Sequence, residues 1–145
     1  MRKIIPLLLI LAVIIPTFAS GEDYGFIETD SGEAWYVTGT VGIGEFFHSG
    51  SEEMMEYYYA TLSPEAYEFL YWLIEDIDVP PGEHDTACEV MIFSFEEDID
   101  LGSYLYDQIT FTGDAFEWHT IYHQRHIVVY VTDVLDASSL SNQGN

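Results

Sequence analysis

Three of the five histidines lie within the ten residues Glu117–His126, which read "EWHTIYHQRH". Imidazole nitrogens and carboxylate oxygens are common ligands of Zn²⁺, so this stretch is the first candidate for chemistry. On a helix, His119 and His123 would lie one turn apart, but the threonine, isoleucine and tyrosine between them favour a strand. Along a single strand these two histidines would be about 13 Å apart, too far to share one ion.

A hairpin brings a different pair of histidines together. A turn at Tyr122–His123 would place His119 directly opposite His126, with Glu117 two residues along on the same outer face. Directly paired residues have Cβ atoms about 5 Å apart, close enough for two imidazoles to bind one ion. The hypothesis that follows is that Glu117, His119 and His126 bind Zn²⁺ or a similar ion; the alternatives are an ordinary solvent-facing pair of histidines and a pH-sensitive surface patch.

An acidic segment, "FEEDIDLGSYLYD", offers a second kind of site. Asp98 and Asp100 alternate before Gly102, and Asp107 follows nearby. Ca²⁺ needs several oxygen ligands from a short flexible loop, and D-x-D-x-G is a fragment of such a loop. The third acidic ligand, the sixth-position glycine and the twelfth-position glutamate of an EF-hand are missing. The segment predicts either a Ca²⁺ site at Asp98, Asp100 and Asp107 or a solvated acidic loop.

Tyrosines are concentrated in "EYYYATLSPEAYEFLYW". Tyr57, Tyr59, Tyr67 and Tyr71 are expected to stay exposed, as a surface that stacks on sugars or contacts a protein. The alternative is that these aromatic side chains cover the edge of the sheet.

Sequence signatures of enzymes are nearly absent. No lysine follows Lys3, so Schiff-base chemistry is excluded beyond the N-terminus. There is no glycine-rich phosphate loop, H-E-x-x-H or G-x-S-x-G motif. We predict a non-enzymatic binding or surface-assembly protein. The alternative function is a metal-dependent hydrolase that uses Glu117, His119 and His126.

The N-terminus has the layout of a secretory signal peptide. Arg2 and Lys3 precede an apolar run, Ile4–Phe18, and small residues follow it. The run is shorter than the roughly 18–20 residues that span a bilayer. We predict cleavage near Ala19, which leaves a secreted domain at residues 20–137 and a disordered polar tail at residues 138–145, with no membrane span. The alternative is an uncleaved N-terminal anchor.

The charge of the predicted mature chain limits its partners. Arg125 is its one lysine or arginine against 26 aspartates and glutamates, a net charge of −25. Nucleic acid is not expected as a partner because the chain lacks the basic surface that neutralises phosphates. Divalent cations, cationic proteins and neutral carbohydrates at the cell surface are the expected partners, and self-association stays open. Cys88 has no second cysteine for an internal disulfide.

The periodicity of apolar residues and the turn and capping residues predict the strands and helices that position these side chains. Two strands meet at an Asp30–Gly32 turn, and "ACEVMIFSF" is apolar on both faces, as in a central strand. Ser51 and Ser63 are good N-caps, the second with Pro64 after it, and predict two helices. "YLYDQITFTG" is a further strand, followed by a turn at Gly113–Asp114. The last two strands are Ala115–Ile121 and His126–Val134.

These elements predict one α+β domain with a mainly antiparallel sheet of about six strands and two helices inserted after the second strand. The stretch "QITFTGDAFEW…HIVVYVTDV" is similar to the later strands of an OB-type barrel. That resemblance covers about thirty residues and implies, as the alternative fold, a small OB-like β-barrel with a helical insertion. No function is inferred from it.

Overall fold

The computed structural model describes residues 23–74, 87–118 and 124–135. The predicted leader, the polar tail and His119 lie outside these ranges. The described residues form six strands, one α-helix and a short 3-10 helix. In chain order these are β1 (Tyr24–Thr29), β2 (Gly32–His48), β3 (Glu53–Leu62), α1 (Pro64–Leu73), β4 (Glu89–Phe93), the 3-10 helix (Leu101–Tyr104), β5 (Gln108–Glu117) and β6 (Ile127–Leu135).

The six strands make one sheet in the order β1-β2-β3-β4-β6-β5, and β5 also pairs with β2. The pairings of β2, β3, β4, β6 and β5 therefore run in a closed circuit, with β1 attached outside it along β2. Within this sheet the β4–β6 pair is parallel, and the other pairs are antiparallel. The length of β2 makes the circuit possible, because Val37–Thr40 pair with β5 while Gly39–His48 pair with β3.

The prediction of a single domain with a mainly antiparallel, six-stranded sheet is confirmed. The prediction of two helices after the second strand is wrong, because the described residues contain one α-helix and it follows β3. The predicted number of strands is nevertheless correct, because two errors cancel. A predicted helix is in fact the strand β3, which adds one strand, and two predicted strands form the single strand β5, which removes one.

β3 replaces the helix predicted to begin at Ser51. Met54, Tyr58 and Leu62 recur every four residues, a spacing that suits a helix but also places all three on one face of a strand. Tyr58 and Leu62 pack in the core, as that strand face requires. Three consecutive tyrosines and Thr61 favour extended backbone, and the ladder with β2 supplies the hydrogen bonds that a helix would have made.

α1 begins where the sequence predicts. Ser63 caps it, since its Oγ accepts a hydrogen bond from the backbone N–H of Ala66 at 3.1 Å, and Pro64 is the first helical residue. The helix ends at Leu73, and residues 75–86 lie outside the described ranges. Its buried residues are Ala66, Tyr67, Leu70 and Tyr71.

β5 continues through the turn predicted at Gly113–Asp114. A shift of register between Thr112 and Gly113 marks a β-bulge opposite β6. Glycine is required at this position because a Cβ on residue 113 would overlap the carbonyl oxygen of Tyr130. The bulge bends the strand without ending it, so β5 can pair with β2 near its start and with β6 along its length.

The core lies between α1 and the inner faces of the strands. Its fully buried members include Val37, Val41, Leu70, Val90, Ile92, Phe111, Ile127, Val129 and Val131. Alternation along each strand sends the neighbouring side chains to the opposite face of the sheet. Over the residues that the structure describes, no helix is long and apolar enough to cross a membrane.

Candidate functional site

The opposite face of the sheet carries a second apolar cluster, which we call the outer aromatic face. It extends across β2, β3, β4, β6 and β5. On each of these strands every second side chain points to this face of the sheet. Its members are Phe46, Tyr57, Tyr59, Met91, Phe93, Phe116, Val128 and Tyr130.

Two glycines of β2 allow the tyrosines of β3 to lie close to the sheet. Gly42 pairs with Tyr59 and Gly44 with Tyr57. A Cβ on Gly42 would lie 2.5 Å from Cζ of Tyr59, and one on Gly44 would lie 2.6 Å from Cζ of Tyr57. Each phenol ring therefore covers glycine backbone, and a larger residue at either glycine would displace the ring above it.

Arg125 lies over both of these rings. Its Cζ atom is 5.3 Å from the centroid of the Tyr57 ring and 5.3 Å from that of Tyr59. Its Nε and Nη2 donate to Oε1 of Glu89 at 2.9 and 2.6 Å, and Nη1 donates to the carbonyl of Gln124 at 2.8 Å. The guanidinium thus combines cation–π contacts with charge-assisted hydrogen bonds.

The surroundings of Arg125 raise the pKa of its guanidinium. Burial acts to lower this pKa, but the hydrogen bonds that Arg125 donates to Glu89 and its electrostatic interactions with Tyr57 and Glu89 outweigh that effect. The chain's one lysine or arginine outside the N-terminus is therefore held in its charged form by an aromatic pair and a carboxylate.

The residues that flank the β5–β6 connection lie along the outer aromatic face. The backbone N–H of Gln124 points to the sulfur of Met91 at 3.4 Å, and the N–H of Trp118 donates to the carbonyl of His126 at 2.9 Å. Trp118 itself is exposed. Residues 119–123 lie outside the described ranges, so the structure gives only the two ends of this connection.

The hairpin register predicted for the histidines is wrong by one residue. Glu117 pairs with Ile127, and Trp118 bonds to His126, so residue 118 and not residue 119 lies beside His126. A turn without glycine, asparagine or proline fixes no register, which is why the sequence misplaces it.

His126 is buried, and its Nε2 lies 3.5 Å from Oε2 of Glu117. The structure thus brings two of the three predicted zinc ligands near each other, while His119 lies outside the described residues. Within residues 23–74, 87–118 and 124–135, no three His, Cys, Asp or Glu side chains are grouped as a metal site. Zinc binding by Glu117, His119 and His126 stays a prediction.

The acidic segment contains the 3-10 helix Leu101–Tyr104. Oδ1 of Asp100 accepts a hydrogen bond from the backbone N–H of Gly102 at 3.1 Å and caps that helix. The backbone carbonyl of Asp107 accepts from the N–H of Val41 at 3.0 Å, which ties the start of β5 to β2. Asp98 is exposed. Calcium binding by Asp98, Asp100 and Asp107 stays a prediction.

The four tyrosines predicted as an exposed surface divide into two pairs. Tyr67 and Tyr71 are 4% exposed and belong to the core, so their predicted exposure is wrong. The exposed aromatic side chain of α1 is instead Trp72, which is 70% exposed. Tyr57 is also buried, and Tyr59 is half-buried; both lie on the outer aromatic face under Arg125.

Three further rings, which were not among the predicted site residues, meet where the end of β4 pairs with β6. We call them the aromatic triad: Phe93, Phe95 and Tyr130. Phe93 and Tyr130 are paired residues of β4 and β6. Phe95 packs against both of them but remains 81% exposed. The available signal was the alternation in "MIFSF", which places Phe93 and Phe95 on one side of an extended chain.

Comparisons of the chain with protein-family models, with curated proteins and with solved structures find no match.

Proposed function

We propose that this protein is an exported, non-enzymatic binding protein that holds its ligand on the outer aromatic face. The observation that carries the proposal is the contact of Arg125 with Tyr57, Tyr59 and Glu89. In this contact two tyrosine rings and one carboxylate surround a cation, which shows that side chains of this face can bind a guanidinium group. The exposed side chains of Trp118 and Phe95 add rings to the surface beside it.

The circuit of paired strands supports the finer interpretation of the fold as a small OB-type barrel. Such barrels bind ligands on the face of their second and third strands and on two adjacent loops. Counted around the circuit from β2, those strands are β3 and β4, and those loops are the β2–β3 and β5–β6 connections. The outer aromatic face is centred on β3 and β4, and Arg125 comes from the β5–β6 connection.

Charge selects among the ligand classes. A mature chain with a net charge of −25 attracts cationic partners and repels phosphates and anionic membranes. We therefore take a cationic protein segment at the cell surface as the ligand. Neutral carbohydrate, which also stacks on aromatic rings, is the alternative that the experiment must separate.

The signal-like N-terminus supports export. A chain cleaved near Ala19 would be released on the far side of the cytoplasmic membrane, where its ligand would be met. Mass spectrometry of the protein recovered from culture medium or cell envelope tests this part. A recovered N-terminus near residue 20 supports export, and a recovered intact leader contradicts it.

The binding part is tested by solution NMR on the mature protein. Isotope-labelled protein is titrated with a panel of short lysine- and arginine-rich peptides and with a panel of neutral oligosaccharides. Saturable shifts at Tyr59, Phe93 and Trp118, with none at Phe26 and Trp72 on other surfaces, support a ligand site on the outer aromatic face. Shifts centred on Phe26 and Trp72, or on neither set, contradict it.

A further inference from the structure

Arg125 shows how this chain binds a guanidinium group. The ring centroids of Tyr57 and Tyr59 are 6.1 Å apart, their planes are inclined by 46°, and the cation lies 5.3 Å from each centroid. A carboxylate, Glu89, completes the site with hydrogen bonds. This site therefore consists of two inclined rings and one carboxylate, all of which contact the same guanidinium group.

The aromatic triad repeats the ring geometry on the neighbouring strands, with Phe93 on β4, Phe95 just after it and Tyr130 on β6. The centroids of Phe93 and Tyr130 are 5.4 Å apart, with planes inclined by 46°, which is the inclination of the tyrosine pair. The ring centroid of Phe95 lies 5.5 Å from that of Phe93 and 5.7 Å from that of Tyr130, so the three rings form one group in which Phe95 is exposed and the other two are half-buried.

Two carboxylates, those of Glu96 and Asp114, lie next to the triad, as Glu89 lies next to Tyr57 and Tyr59. Oε2 of Glu96 accepts a hydrogen bond from the hydroxyl of Tyr130 at 2.5 Å. Asp114 is the cross-strand partner of Tyr130 on β5. Both carboxylates are exposed, so each keeps acceptor positions for a second donor.

The segment that carries Phe95 and Glu96 is fixed to the sheet. The hydroxyl of Ser94 donates to the carbonyl of Val131 at 2.6 Å and accepts from the backbone N–H of Glu96 at 3.2 Å. The backbone that carries Phe95 and Glu96 is therefore held in position before any ligand arrives, and the hydroxyl of Tyr130 holds the Glu96 carboxylate, which lowers the entropic cost of binding.

We propose that the aromatic triad, with Glu96 and Asp114, is the receptor for one arginine or lysine side chain of the protein ligand. This inference rests on the proposed function and specifies its contact. The mature chain has no lysine, and its one arginine is engaged by the tyrosine pair, so the cation must come from a partner. A second copy of this chain is a poor source, because it brings the same large negative charge.

The first test uses small probes on the mature protein. Acetyl-arginine methylamide and acetyl-lysine methylamide are compared with the neutral isostere, acetyl-citrulline methylamide, by ¹³C NMR of the aromatic side chains. We expect the two cations to shift the resonances of Phe93, Phe95 and Tyr130, and citrulline to shift them much less. Equal shifts from citrulline would show that the triad does not select positive charge, and they would overturn the proposal.

The second test uses variants and a tetra-arginine peptide, with affinity measured by calorimetry. Phe95→Ala and Glu96→Gln should each weaken binding about two- to fivefold, the effect of losing one exposed cation–π or charge contact. Both side chains are exposed, so the fold should persist, which circular dichroism verifies. Trp72→Ala and Glu68→Gln, exposed residues of α1, are matched controls and should leave the affinity unchanged.

The outcomes separate this inference from the proposed function. If the peptide binds the outer aromatic face but neither Phe95→Ala nor Glu96→Gln weakens it, the receptor is overturned and the binding function stands. Binding of neutral oligosaccharides to that face, with no response to the peptide, likewise overturns the receptor and leaves a binding function in place. If no probe shifts any resonance of the face, both proposals fail.

Discussion

Arg125 donates from two nitrogens to a single carboxylate oxygen of Glu89, at 2.9 and 2.6 Å. The two side chains retain only 25% and 21% of their exposure, so the pair is largely withdrawn from solvent. The contact joins the residues just before β6 to the first residue of β4, two strands that pair in parallel. This ion pair therefore links the start of β6 to the start of β4 in a chain with a large excess of negative charge.

Removing either member of this pair should destabilise the protein. Charge-assisted hydrogen bonds are worth about 1.5–3 kcal/mol, so Arg125→Met and Glu89→Gln should each lower the free energy of unfolding by about 1–3 kcal/mol. Urea denaturation measures the two losses, and the double variant gives their coupling. Glu68→Gln removes one exposed negative charge from α1 and should cost almost nothing. Strictly additive losses at Arg125 and Glu89 would show that the pair contributes no interaction energy.

The buried tyrosines of α1 should matter far more than the tryptophan beside them. Tyr67 and Tyr71 are almost fully buried, so truncation to alanine should cost about 3–5 kcal/mol each. Trp72→Ala should change the free energy of unfolding by less than about 0.5 kcal/mol because its side chain is mostly in solvent. Thermal and urea unfolding of the three variants check this order. A larger loss at Trp72 than at Tyr71 would contradict the described helix face.

Local signals predicted the parts of the fold that short-range chemistry decides. The β1–β2 turn was predictable because Asp30, Ser31 and Gly32 supply turn chemistry, and Gly32 has the positive φ of +116° that favours glycine. The start of α1 was predictable because Ser63 and Pro64 are an N-cap and a first-turn residue. Neither feature depends on contacts distant in sequence.

Features that depend on distant partners were not predictable. A four-residue recurrence fits both a helix and one strand face, so only the ladders with β2 and β4 show that Glu53–Leu62 is a strand. The rings of the outer aromatic face come from five strands, and no spacing within one strand reveals their meeting. The partner of Arg125 could have been any of the 26 carboxylates, and the fold selects Glu89.

Like charges face each other across the β2–β3 hairpin, and removing one such pair should stabilise the protein. Glu45 pairs directly with Glu56, and both are exposed. Directly opposed like charges destabilise a sheet, so Glu56→Lys should raise the free energy of unfolding by about 0.5–1 kcal/mol at low salt.

Salt and a control variant make this prediction specific to the pair. In about 1 M NaCl the gain from Glu56→Lys should shrink because the Debye length falls to about 3 Å. Glu68→Lys changes the net charge equally but lies on α1, so it should gain less. An equal gain at both positions would assign the effect to overall charge and not to the Glu45–Glu56 pair.

The β-bulge in β5 should be intolerant of any side chain. A Cβ at Gly113 would meet the backbone of Tyr130 and Val131, which cannot move as a flexible side chain would. Gly113→Ala should therefore cost about 2–3 kcal/mol or more. Gly32→Ala is the comparison, since nothing lies within 4 Å of its Cβ and only its positive φ opposes the change, for about 1 kcal/mol. Equal losses in urea denaturation would contradict the bulge geometry.

The phenol of Tyr130 should titrate above the ordinary range for tyrosine. Its hydrogen bond to Glu96 is the main cause of the raised pKa, followed by burial and by the negative charge of Glu96. Glu96→Gln removes the charge, so the pKa should fall toward the usual tyrosine value, whereas Asp114→Asn should lower it less. The ¹³Cζ shift of Tyr130, followed from about pH 8 to about pH 12 around the ordinary tyrosine pKa, measures each value. A bound arginine would also favour the phenolate, so tetra-arginine should lower the pKa of Tyr130 in the wild type. If Tyr130 titrates identically in the wild type and in Glu96→Gln, the hydrogen bond between Tyr130 and Glu96 is contradicted.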